Sequence, residues 1–240
     1  MAMEHTVSAF EQELKVLGGR VAEMGGLAER LIHDAIDALK RSDPDLARTV
    51  IERDRLLDRL QRETEDRAIL VIARRQPMAL DLREVVASMR IASELERVGD
   101  LAKNIAKRVV AIQGAVLNKR LVVGVEHIAD IAAEQLKTVL DAFSDRDDAA
   151  AHLVRQRDGE IDALYTSLFR ELLTYMMEDP RNISLCTHLL FCAKNVERIG
   201  DHATNIAETV HYVITGIAFD DERPKADTTA DDPIEGGALP

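Results

Sequence analysis

The chain contains no tryptophan, and aromatic residues make up only 3% of it. Sheet proteins depend on aromatic side chains far more than helical ones do. Long runs of Ala, Leu, Val, Ile, Glu and Arg therefore favour a helical protein. Cysteine is nearly as scarce: Cys186 and Cys192 are six apart on a predicted helix and face different directions, and no Cys-x-x-Cys occurs. Both read as reduced core residues of an intracellular protein. Positive charge is also short, since the formal net charge is −12. That balance argues against nucleic acid, which needs a basic face, and against general adhesion to anionic lipid. It suits cations, or basic patches on a partner. Long hydrophobic runs are missing as well. The most apolar stretch, Ile183 to Ala193, contains His188 and is too short to span a bilayer. The start shows no charged n-region followed by an apolar h-region, so no signal peptide is expected and the cytoplasm is the expected location. There is no phosphate-cradling glycine loop and no Ser/His/Asp signature.

What is present is helical periodicity with sharp punctuation. With 240 residues the chain can bury a sizeable core. A first helix is expected over about 6–41, with Gly18-Gly19 and Gly25-Gly26 as weak points. Asp43-Pro44 restarts the chain, because proline suits a first helical turn. A second helix should reach Arg75 and break at Gln76-Pro77, and a third should run to about Gly114. A fourth spans about Leu117 to Phe143, a fifth follows the Ser144–Asp147 turn to Asp179-Pro180, and a sixth runs from about Asn182 to Gly216. From Phe219 the chain is polar and acidic and reads as a disordered tail. The expectation is an all-α protein of two pseudo-symmetric three-helix bundles, six helices in all. Its expected parts are 1–115, 116–218 and the tail 219–240.

The division into halves rests on an internal repeat. Glu-Arg-Val-Gly-Asp-Leu-Ala-Lys-Asn-Ile-Ala at 96–106 returns at 197–207 as Glu-Arg-Ile-Gly-Asp-His-Ala-Thr-Asn-Ile-Ala, an offset of 101. Asp54 and Asp58 return as Asp158 and Asp162 at an offset of 104, and Asp43 as Asp147. Pro77 is matched by Pro180. Packing alone would keep the apolar positions and let the polar ones drift. Here Glu96, Asp100 and Asn104 form one ridge, four residues apart, and Glu197, Asp201 and Asn205 form its copy. On the third helix Ile91, Leu95, Val98, Ala102, Ile105, Val109 and Ile112 make the core stripe. On the sixth Leu185, Leu189, Cys192, Val196, Ile199, Ala203, Ile206 and Val210 do so. Both ridges should point away from these stripes, toward solvent, a partner or a neighbouring helix edge.

Like charges stacked at i and i+4 are mildly destabilising unless a cation lies between them. Two such pairs on adjacent helices make a cluster of hard oxygen donors, suited to Mg²⁺, Ca²⁺, Mn²⁺ or iron rather than copper. A single Asp-x-x-x-Asp is usually a solvated face, and Arg97 and Arg198 are alternative ion-pair partners for the ridges. Gly99 and Gly200 each cost roughly 1 kcal/mol of helix propensity relative to Ala. Their repetition fits close approach of another helix, or drift after duplication. A catalytic di-iron bundle needs Glu-x-x-His pairs. Only Glu208-x-x-His211 fits, without a counterpart in the first half. His33, His127, His152 and His188 read as scattered, ordinary residues.

Three segments in order, Arg75 to Arg83, Ala92 to Asp100 and Asn195 to Glu208, closely resemble the PhoU family of phosphate-specific transport system accessory proteins. The resemblance spans about residues 5–217. It implies two three-helix bundles and a non-enzymatic cytoplasmic regulator of phosphate uptake. Such a protein represses the phosphate-starvation regulon, acting between the phosphate ABC transporter and its sensor histidine kinase. It would be peripheral to the membrane through these partners, with room for a homodimer. The resemblance also implies metal clusters at the bundle surface. Their ligands would be Asp54, Asp58, Glu96 and Asp100, and Asp158, Asp162, Glu197 and Asp201, with Asn104 and Asn205 on the same ridges. The ion would be a divalent or trivalent metal such as Fe, Mg, Mn or Zn. The alternatives are a carboxylate-bridged metal bundle with a storage or redox role, and a plain helical adaptor.

Overall fold

The computed structural model describes residues 2–114 and 119–219, with side chains from Phe10 and, beyond the gap, from Arg120. The residues beyond 219, expected to form a tail, lie outside the described part. Among the described residues every regular element is helical. The order is α1 (Ala2–Arg41), α2 (Pro44–Arg75), α3 (Leu80–Ala111), α4 (Lys119–Asp145), α5 (Asp148–Gln156), α6 (Asp158–Glu178), a 3₁₀ turn (Pro180–Asn182) and α7 (Ile183–Thr215).

The same capping chemistry starts equivalent helices in both halves. Asp43 accepts hydrogen bonds from the Asp45 and Leu46 amides ahead of Pro44, and Asp147 accepts one from Ala150. Gln76 closes α2 in the left-handed region at φ 50°, just before Pro77, and Gly216 closes α7 at φ 78°. α1 runs straight through its four glycines. A Cβ on Gly25 would lie 2.6 Å from Leu140 Cδ1, so this glycine marks where α4 comes close, not a break.

The expected fifth helix is interrupted. Arg157 takes φ −87° and ψ 2°, and its N–H is shared between the Leu153 and Val154 carbonyls. Its own carbonyl accepts from Gln135 Nε2 on α4 at 3.3 Å, and its guanidinium bonds Glu134 and Glu160, both at 2.9 Å. Tertiary partners absorb the backbone groups that a kink frees.

α1, α2 and α3 pack on one another, and α7 packs on α4, α5 and α6. The two sets meet through α3 against α7 and α1 against α4. One continuous core, including Leu39, Leu57, Leu95, Ile105, Ile128, Leu136, Cys192 and Ile206, runs through both. α3 and α7 therefore have helices on several sides. Their expected stripes are buried except for Ile112 and Leu185, which are half-buried; Ala92, Gly99, Leu101 and Ala106 on α3 and Ala193, Glu197 and Ala207 on α7 are buried as well. Cys186 and Cys192 are both free and buried, and burial pushes their thiols up, that of Cys192 to about 12. At that value the thiol stays protonated and unreactive.

Candidate functional site

The buried positions of α2 fall three and four apart: Ala47, Val50, Asp54, Leu57, Leu60, Thr64, Ala68 and Val71. Asp54 thus occupies a slot in the core stripe that the pattern reserves for an apolar side chain. It is 1% exposed. Across α5 and α6 the series is Ala151, Val154, Asp158, Ile161, Tyr165, Leu168 and Leu172, so Asp158 fills the matching slot. A buried carboxylate costs several kcal/mol unless it is paired.

The pairing differs between the halves. In the first, Lys103 Nζ on α3 bonds Asp54 Oδ2 and Asp100 Oδ1, each at 2.5 Å. In the second, the residue at the Lys103 position is Thr204, whose hydroxyl donates to Asp158 at 2.8 Å. The second ammonium comes instead from Lys194, 2.8 Å from Glu197 and 4.9 Å from the Tyr165 ring. The position matching Lys194 in the first half is Ser93. Each carboxylate cluster thus holds a lysine, reached from opposite ends of the ridge. Arg97 is a weaker partner, 3.6 Å from Glu96 and 4.0 Å from Asp100 with its side chain 62% exposed, and Arg198 is exposed.

The structure gathers the expected carboxylates as two sets. Asp54 and Asp58 of α2 face Glu96 and Asp100 of α3, and the charges of Asp58 and Asp100 act on Asp54. Those of Asp100, Asp58 and Asp54 act on Glu96. In the second set Asp201 and Asp162 act on Glu197, and Asp158 is tied to α7 through Thr204. The ridges are not surface features. Asp54, Asp158, Asp162 and Glu197 are buried, and the other four are half-buried. Of the three surroundings expected for the ridges, Glu197 meets the neighbouring helices and not solvent, because α7 packs against α3, α4, α5 and α6. Asn205 is not turned to its ridge: its amide donates to Glu94 on α3 at 2.9 Å, beside His202 Nδ1 at 2.6 Å from the same carboxylate. It ties the two halves together. Asn104 lies half-buried one turn beyond Asp100.

Gly99 sets the spacing of the first site. A Cβ there would sit 2.5 Å from Leu57 Cδ2 and 3.1 Å from Asp54 Oδ1. Gly200 plays the same part, 2.6 Å from Ile161 Cδ1. The repeated glycine is a close approach of α2 to α3 and of α6 to α7.

Lys103 and Lys194 were missed by sequence reasoning. Lys103 stands three residues after Asp100 on the same helix face, and it is one of the few places where the two copies of the repeat differ. Those two signals together could have found it.

The arrangement fits a cation. Asp54 Oδ1 and Glu197 Oε2 are buried without a hydrogen-bond partner among the described residues. An orphaned anionic oxygen in each cluster is what a hard metal ion would satisfy. The electrostatics point the same way. Burial raises Asp54, Glu96 and Glu197 above the ordinary carboxylate range, with neighbouring carboxylates adding to it and Lys103 or Lys194 opposing it at Asp54 and Glu197. Burial alone would lower Lys103, yet its bonds to Asp100 and Asp54 carry it upward.

A pH dependence follows. A carboxylate raised in the folded chain binds its proton more tightly there than when unfolded. Its contribution is fully present below the unfolded value and is lost as the pH rises through the folded value. In cation-free buffer the melting temperature should therefore increase as the pH is lowered from neutral toward the ordinary carboxylate range. Glu13 and Asp179, held low by hydrogen bonds from Arg75 and Arg181, act in the opposite sense at partly exposed positions and should not reverse it. Thermal melts across that window would contradict this if the melting temperature fell steadily.

Two packed helical repeats with a buried acidic cluster in each define an all-helical, twice-repeated bundle protein. The PhoU domain family matches residues 21–109 and 125–210, and the chain belongs to this family. It is 58% identical over 230 residues to a protein of Rhizobium meliloti, covering 96% of this chain and 97% of that one. It is 50% identical over 224 residues to one of Caulobacter vibrioides, covering 93% and 97%. Both are named phosphate-specific transport system accessory protein PhoU homolog. Among solved structures it resembles PhoU from Pseudomonas aeruginosa with TM-score 0.83 and 38% identity, over 87% of this chain and all of that one. It resembles the phosphate transport system regulatory protein PhoU of Streptococcus pneumoniae with TM-score 0.81 and 28% identity, over 88% and 99%.

Proposed function

We propose that this protein is the accessory regulator of a phosphate-specific transport system. It acts in the cytoplasm, without catalytic turnover of its own, and holds phosphate uptake and the phosphate-starvation regulon low when phosphate is plentiful. The observation that carries the reading is similarity over nearly the whole length to proteins bearing that name, two of them at 58% and 50% identity. Among the described residues no helix is long and apolar enough to cross a membrane, which suits a protein that reaches the membrane through its partners. Those partners are the phosphate ABC transporter and the sensor histidine kinase it communicates with. The repeats are assigned to 1–115 and 116–218, followed by a tail from 219. A strain lacking the protein should express a phosphate-regulon reporter in rich phosphate. Normal reporter activity together with normal phosphate uptake in that strain would refute the assignment.

The two carboxylate clusters are proposed to hold divalent or trivalent cations. The first would use Asp54, Asp58, Glu96 and Asp100, and the second Asp158, Asp162, Glu197 and Asp201. The orphaned oxygens of Asp54 and Glu197 support this reading. Such an ion would supply charge neutralisation, which the lysines supply only in part. A ligand that binds only the folded chain adds roughly 2.7 kcal/mol of stability at a hundredfold excess over its Kd. Chelation should lower the melting temperature accordingly. Asp100→Ala should weaken the first site and spare the second, and Asp201→Ala the reverse, since well-separated sites act independently. Elemental analysis with melts in Mg²⁺, Mn²⁺ and Fe²⁺ decides. Protein without metal, and with a melting temperature indifferent to all three, would exclude the sites.

A further inference from the structure

The histidines are not all scattered. Asp148 and His152 stand one turn apart on α5, and α7 brings His211 against both. We propose that Asp148, His152 and His211 form a separate binding site for a borderline-soft divalent ion, of which Zn²⁺ is the type.

Three potential donor groups stand close together there. His211 Nδ1 lies 2.7 Å from Asp148 Oδ1, and His152 Nε2 lies 3.7 Å from Asp148 Oδ2. One donor atom from each residue falls within 4.8 Å of the others. The two imidazoles meet edge to face with centroids 4.9 Å apart. Zinc bonds nitrogen and carboxylate oxygen at about 2.0–2.2 Å, which in a tetrahedron sets neighbouring donors about 3.3–3.6 Å apart. Small side-chain rotations reach that arrangement from the observed spacings.

A plain His–Asp pair explains Asp148 and His211. Helical i,i+4 spacing and the ring contacts with His211 and Phe219 set a second imidazole beside the other oxygen of the same carboxylate, beyond hydrogen-bond reach. A metal ion would engage both rings. Two neutral imidazoles and one carboxylate select Zn²⁺, Co²⁺ or Ni²⁺ over Mg²⁺ or Ca²⁺, and leave a fourth position for water. All three residues are half-buried. Phe219 stacks on His211 at 4.0 Å and 25°, and meets His152 edge-on at 4.8 Å, giving the rings an apolar cover. Thr215 Oγ1 stands 3.5 Å from His211 Nε2, placed to accept its N–H and fix the tautomer that leaves Nδ1 free for the ion. Arg155 is the nearby cation, and its Nε lies 3.7 Å from Glu208, so its charge is offset there.

The site belongs to the second half alone. The matching positions of the first half are Pro44, Arg48 and Val110, none of which is a ligand. It also shares no residue with the carboxylate clusters, so it stands or falls independently of them.

The test uses the full chain, untagged and stripped with chelator. Titration with Co²⁺, read by visible absorption, and with Zn²⁺, read by competition with a chromophoric chelator, should show an imidazole-ligated equivalent that excess Mg²⁺ does not displace. His211→Ala and His152→Gln should each weaken that equivalent by more than about tenfold, whereas Asp100→Asn and Asp201→Asn should retain it. Circular dichroism confirms the fold of each variant. Should His211→Ala unfold, His152→Gln at its half-exposed position decides alone. The proposal is overturned if the wild-type chain gives no such band, or if the folded histidine variants keep its stoichiometry and spectrum.

Discussion

Lys103→Met should lower the stability of the cation-free protein by about 3 kcal/mol, the low end of what removing one partner of a buried ion pair costs. The low end applies because Lys103 keeps 21% of its side chain exposed. Among the described residues its ammonium is the only group bonding Asp54, and it bonds Asp100 at the same time. Methionine preserves the length and apolar stem, so packing is nearly unchanged and the lost term is charge. Two further measurements separate this from a general packing defect. Lowering the pH should restore the variant, because the stranded Asp54 then takes up a proton. Adding Mg²⁺ or Mn²⁺ should restore it too, and by more than in wild type, because the first cluster has lost its resident positive charge. Denaturant midpoints with and without cation check both. A variant with an unchanged midpoint, or one that cation leaves unmoved, would show that the lysine is not the counter-charge of the cluster.

The same pair shows what the sequence carries and what it hides. Helix ends were readable because they are set by local chemistry: Asp43 before Pro44, Pro77 after Gln76, Asp179 before Pro180, and Gly216. The carboxylates were readable because duplication displays them twice. Their burial was not. An amphipathic projection assumes one buried face, and α7 has neighbours on α3, α4, α5 and α6. The kink at Arg157 was equally hidden, since it depends on two residues of α4: Gln135 donates to the carbonyl that the break frees, and Glu134 pairs with the guanidinium. Counter-charges were hard to read for a related reason. Arg97 is adjacent in sequence to Glu96, yet it lies mostly in solvent, while Lys103 is turned inward toward another helix. Asp148, His152 and His211 escape any linear scan because a separation of 59 residues is closed only by α5 packing on α7.

Leu57→Ala should cost about 2–5 kcal/mol, the usual range for emptying a fully buried leucine site. Leu57 is 0% exposed and touches the face of α3 at Gly99. The informative result is its coupling to that glycine. In wild type, Gly99→Ala puts a Cβ 2.5 Å from Leu57 Cδ2 and 3.1 Å from Asp54 Oδ1, so α3 must withdraw from α2 or Leu57 must leave its rotamer. Either response offsets the roughly 1 kcal/mol that alanine gains in helix propensity. In the Leu57→Ala background the leucine methyl is gone, and the added Cβ enters the vacated space. There Gly99→Ala should recover about 1 kcal/mol, giving a favourable interaction term in the double-mutant cycle. Withdrawal of α3 would also move Lys103 and Asp100 away from Asp54, because all three are held across that same seam. Gly99→Ala alone should therefore weaken cation binding at the first cluster and leave the second untouched. Strictly additive stabilities from chemical denaturation of the four proteins would mean that the glycine does not set the distance between α2 and α3, and that the first cluster owes its geometry to something other than this contact.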